Sequence, residues 1–201
     1  MARDGLVTML RRLLLFLLLT LGWAGAAAAE IEIHFHSKDM ASTFPHAFVR
    51  LTGTDEGTGE AVDVNYGFTP VSLTPAILFG PVQGMMHRVS RQYLDRSDRH
   101  FSLKLTDAQY RAVLAVVERW RDAPQPNYRL NSRNCVHFVA EVAAALGLAA
   151  EPDRRLVKKP KSFLRQVTQN NLALIETWGR QAPPLAPPQP QPAAVVAPAR
   201  H

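Results

Sequence analysis

A single cysteine placed at the start of an amphipathic helix constrains this chain more than any other feature. In Tyr128 to Leu148, YRLNSRNCVHFVAEVAAALGL, the residues Val139, Val142, Ala143 and Leu146 recur at helical spacing after Cys135. The segment therefore predicts a helix that buries one stripe against other structure. Asn134 suits the N-cap, and Gly147 stands where a left-handed C-terminal cap is expected. A thiol in the first helical turn faces unpaired amides and the positive end of the helix dipole, both of which favour the thiolate. Two readings compete: a nucleophile, or one small buried apolar residue among many.

The two ends of the 201-residue chain differ from its middle. Residues 1–29 run from Arg3, Arg11 and Arg12 through LLLFLLLTLGWAG to Ala26–Ala29. This is the pattern of a secretory signal peptide cleaved before Glu30, with an uncleaved anchor as the alternative. Residues 181–201 are dense in proline and predict a solvated, disordered tail. One folded domain is expected over residues 30–180. A periplasmic or secreted location follows, where cysteines usually pair, yet Cys135 has no second cysteine to pair with. Residues 1–29 carry three basic side chains and one acidic, so removing them leaves a formal charge of +4 out of +6. Most of the excess lies in Arg154, Arg155, Lys158, Lys159, Lys161 and Arg165. That run suits peripheral contact with an anionic envelope surface or a plain solvated helix face. Without interleaved aromatics it does not point to nucleic acid.

EIEIHFH at 30–36, FPHAFVRL at 44–51, AVDVNYGF at 61–68 and RHFSLKL at 99–105 alternate or run apolar as strands. The second and third form a hairpin across TGTDEGTGE. With its turn centred near Asp55 or Glu56, His46 falls opposite Asn65, and a slip of two residues substitutes Asp63. Residues 69–86 read as an irregular segment over the core. Thr106 opens a capping box with Gln109 and a helix whose buried stripe includes Val113, Val117 and Trp120. Residues 162–174 form a last helix. The fold class is α+β, a small antiparallel sheet packed on helices. His34 and His36, alternating on an exposed strand face with Asp39 nearby, are weak metal ligands, and neither a metal nor a cofactor is expected.

A nucleophilic thiol needs a base, and the base a third polar group to orient it. His46, His87, His100 and His137 are the candidates. His137 is two residues beyond Cys135 on the same helix, about 200° round the axis, which makes it a poor base. His46 sits within a strand and lies 89 residues before Cys135.

The run Asn134-Cys135-Val136-His137-Phe138-Val139 is similar to the N-C-E-H-F-V nucleophile motif of the lecithin:retinol acyltransferase family, part of the circularly permuted papain-like superfamily. The resemblance spans about Phe44 to Leu148, and only the cysteine motif is specific. It implies a permuted papain-like fold with Cys135 as nucleophile, His46 as base and Asn65 as the orienting group. Val136 and Asn65 depart from the glutamate and histidine common in the family's acyltransferases. The implied activity is an exported thiol hydrolase acting through an acyl-enzyme on amide bonds, with cell-wall peptides or peptidoglycan as substrates. A lipid acyltransferase or thioesterase acting on acyl lipids, and a non-catalytic envelope binding module, are the alternatives. A monomer is expected.

Overall fold

The computed structural model describes residues 31–39, 44–55 and 57–180. The expected signal peptide and proline-rich tail lie outside the described residues. Five antiparallel strands, β1 (Ile31–Lys38), β2 (His46–Thr54), β3 (Ala61–Pro70), β4 (Gly84–His87) and β5 (Asp98–Leu105), form one sheet in the order β4-β3-β2-β1-β5. β2 is therefore central, and His46 is its first residue. Among the described residues five helices accompany the sheet: α1 (Arg91–Asp95), α2 (Asp107–Arg121), α3 (Cys135–Ala145), α4 (Pro160–Asn170) and α5 (Leu172–Arg180). None of the described helices is long and apolar enough to cross a membrane.

Strand alternation sends Ile31, Ile33, Phe35, Ala47, Val49 and Leu51 to one face, where α2, α3 and α4 cover them with Val117, Phe138, Val139 and Phe163. The capping box at Thr106 is formed, both bonds included. Helix α3 ends as its sequence indicates. Gly147 adopts φ 82°, the Leu148 N–H donates to the Ala143 carbonyl at 3.0 Å and the Gly147 N–H to Ala144 at 2.9 Å.

The opposite face is covered as well, which its polar residues did not suggest. His34 and His36 are buried. Burying an imidazole costs little when its nitrogens are bonded. His34 bonds Ser102 Oγ at 2.7 Å and Thr52 Oγ1 at 2.8 Å, and His36 bonds Ser97 Oγ at 2.9 Å while stacking on Phe48. Phe48 is closed over by Val89, Tyr93 and Leu94. The cover is α1 and the chain leading to it, a short element in a stretch where no helix was expected. Ser90 caps α1 by accepting from the Tyr93 N–H. The segment read as irregular also contains a 3₁₀ turn, Pro75–Leu78, and the edge strand β4.

The β2–β3 register differs from the expected one. Arg50, not His46, pairs with Asn65, and Thr52 pairs with Asp63. The turn is centred later in the chain because Asp55 Oδ1 accepts from the N–H groups of Gly57 and Thr58, and Gly59 takes φ 70°. Moving the centre by two residues moves every cross-strand partner by four.

Candidate active site

Asn134 builds the start of α3. Its Oδ1 accepts from the N–H groups of Val136 (2.9 Å) and His137 (3.3 Å), and its Nδ2 donates to the carbonyls of Leu130 and Val157, both at 2.7 Å. One buried amide thus caps the helix and ties it to two loops. Cys135 follows as the first helical residue and is buried and free. Burial pushes the thiol up to about 11, against a smaller lowering by the nearby backbone N–H groups of Ala47, Val136 and Cys135 itself. The helix start therefore does not produce a resting thiolate, in contrast to the expectation from position alone.

His46 precedes Ala47, and the two side chains leave β2 on opposite faces. The imidazole stacks on Phe48, with ring centroids 5.9 Å apart, and lies over Gly67 of β3. Its Nε2 is buried with no hydrogen-bond partner. Burial, then the neighbouring His87, lowers its pKa to about 4, so the ring is neutral at neutral pH and able to accept a proton.

Cys135 and His46 line adjoining cavities. The thiol cavity, of about 210 Å³, is bounded by Phe44, Pro45, Tyr128, Leu130, Cys135 and Lys158 among others. The histidine cavity, of about 400 Å³, is bounded by Phe44, Pro45, His46, His87, Val89 and Tyr93 among others. Phe44 and Pro45 line both. Burial, and then a charge on Cys135, raise the pKa of Tyr93, which lines the histidine cavity.

The third expected residue stands elsewhere. Asn65 accepts from the Val89 N–H at 2.7 Å and donates to the Val89 carbonyl at 3.1 Å. It holds the loop that walls the His46 cavity and does not oppose His46 in the sheet. Asp63, its substitute in a slipped register, forms a two-point ion pair with Arg50 at 2.7 and 2.9 Å. Of the other histidines, His87 lines the His46 cavity. His100 bonds Ser37 Oγ at 2.8 Å. His137 contacts Asn134 Oδ1 at 2.9 Å and lines a separate cavity with Trp120 and Arg133.

Sequence reasoning missed Tyr93, the shared lining at Phe44 and Pro45 and the role of Gly67. Gly67 had a legible signal, since an isolated glycine inside a strand often marks close approach of another group.

The chain was compared with protein-family models, curated proteins and solved structures. None matches it.

Proposed function

We propose that this chain is an exported thiol hydrolase of permuted papain-like fold, with Cys135 as nucleophile and His46 as base. The observation that supports it is the dipeptide His46-Ala47. Its imidazole has an unpartnered buried nitrogen, and the Ala47 N–H lies near enough to the Cys135 sulfur to favour its thiolate. Two adjacent residues of β2 thus carry the proposed base and approach the proposed nucleophile.

In the proposed reaction the thiol proton passes to the neutral His46 imidazole as sulfur attacks the carbonyl of an amide. Backbone N–H groups at the start of α3 stabilise the oxyanion. The C–N bond breaks, the amine leaves with the proton from His46, and a thioester remains on Cys135. Water, giving its proton to His46, then releases the carboxylic acid and restores the thiol. The route uses side chains and backbone amides alone. Asn65 acts as a positioning residue through Val89. Cell-wall peptides are the amide substrates that fit export and a basic surface.

A lipid-acyl substrate is the second reading, favoured by the exposed Val71, Leu73, Leu78 and Phe79, the last 86% accessible, on the connection beside the His46 cavity. Incubation with peptidoglycan fragments and with phospholipid acyl donors, followed by intact-mass measurement, separates the two. A peptide-derived acyl adduct on Cys135, absent in Cys135→Ser, supports the amide reading. A fatty-acyl adduct replaces it with the second. No adduct and no turnover from either panel count against both.

A further inference from the structure

A third cavity, of about 510 Å³, opens beside the thiol cavity, and Pro45, Lys158 and Pro160 line both. Its charged lining is Asp39, Lys158, Lys159, Lys161 and Arg165. The carboxylates beside it, Asp39 in the lining and Asp98 next to it, are both engaged. Lys161 Nζ lies 3.5 Å from Asp39 and 2.9 Å from Asp98. Among the described residues, Lys158, Lys159 and Arg165 have no carboxylate within salt-bridge distance. Asp98 also interacts with the Arg165 charge, which leaves Lys158 and Lys159 as the main excess, and like charges around one concavity repel each other and gain when an anion enters it. Lys158 belongs to both cavities, so an anion bound there lies next to the groups that surround the sulfur.

We infer that this cavity is an anionic subsite of the proposed thiol active site, selecting substrates that carry a carboxylate or phosphate close to the bond being cleaved. The inference rests on Cys135 being the reacting group, but its test is separable from that reading. Both anion sources share the same chemistry: multiple acceptor oxygens facing ammonium and guanidinium donors.

The experiment compares alkylation of Cys135 by iodoacetate, which is anionic, with alkylation by iodoacetamide, which is neutral and nearly the same size. The readout is the ratio of the two rates, divided by the same ratio for a small free thiol. The subsite predicts a normalised ratio of about ten at low salt, falling towards one at high salt, as expected for electrostatic focusing. In Lys158→Gln/Lys159→Gln/Arg165→Gln the ratio falls to about one even at low salt. Arg154→Gln, which removes a nearby exposed cation outside the cavity, keeps it. Each single Gln variant gives a partial fall, which covers the case of a triple variant that does not fold. A normalised ratio near one in the unaltered chain overturns the inference, as does a raised ratio that the triple variant leaves unchanged. Protection against iodoacetamide by N-acetylglutamate and by glycerol phosphate then tells carboxylate from phosphate. If Cys135 proves no more reactive with His46 than without it, the dyad fails, while the ratio still reports on the subsite.

Discussion

The imidazole of His46 lies directly over the backbone of Gly67, so close that a Cβ at position 67 would fall 2.3 Å from Nε2 and 2.9 Å from Cε1. No side chain other than hydrogen fits between the central strand's first residue and β3. Gly67→Ala is therefore expected to displace the ring or part the strands. Overpacking of this kind costs roughly 1–3 kcal/mol, measurable as a lower midpoint in urea. Activity of Cys135 should fall with it, because the ring moves.

Asn134→Ala removes the cap of α3 and leaves the carbonyls of Leu130 and Val157 without their shared donor. Cap loss alone costs about 1 kcal/mol, and each orphaned buried carbonyl adds on the order of 1 kcal/mol or more. Thermal unfolding should show a drop of several degrees, and Asn134→Asp should not rescue it: aspartate retains the acceptor for the Val136 and His137 N–H groups but sets a second oxygen against the two carbonyls.

Acid should destabilise the protein below the ordinary histidine range. In the folded chain the pKa values of His34, His36 and His46 are lowered from 6.5 to about 4, 3 and 4, with burial the largest cause in each. Between those values and 6.5 the unfolded chain binds more protons than the folded one. Stability is therefore full above pH 6.5 and declines as pH falls towards 4, by up to roughly 1.4 kcal/mol per pH unit for each histidine. Denaturant midpoints measured from pH 7 to 4 should fall steadily. A flat profile would mean that these rings take up protons in the folded state as readily as in the unfolded chain.

Asn65→Ala distinguishes a positioning role from direct orientation of the base. It removes two hydrogen bonds to Val89, for an expected loss of about 1–3 kcal/mol. The rate of Cys135 alkylation at neutral pH should fall modestly. A loss as deep as that of His46→Ala, with an unchanged unfolding midpoint, would make Asn65 a direct partner of the imidazole.

The sheet and the main helices were legible because apolar residues alternate in β1 and recur at helical spacing in α2 and α3, and because Thr106, Asn134 and Gly147 mark helix ends by their own chemistry. The hairpin register was not, since it depends on where one aspartate folds the turn, and Asp55 chose amides beyond the assumed centre. The buried second face was hidden for a different reason. His34 and His36 read as solvent-facing, and only the serines and threonine that bond them, at positions 52, 97 and 102, make their burial tolerable. Cys135 and His46 were singled out from residue type and motif. That their cavities share Phe44 and Pro45 comes from tertiary packing that no local pattern encodes.

The pairing of Cys135 with His46 is tested most directly by the pH profile of iodoacetamide alkylation in the unaltered chain, in His46→Ala and in His46→Gln. The thiol pKa, raised to about 11, implies slow reaction at pH 6.5 unless a base takes the proton. With His46 in that role, the unaltered chain should alkylate at pH 6.5 at least roughly tenfold faster than either variant. Its rate should fall only as pH drops towards 4, where His46 protonates. In the variants the rate should instead rise steadily with pH towards 11. Superimposable profiles for all three proteins would contradict the dyad.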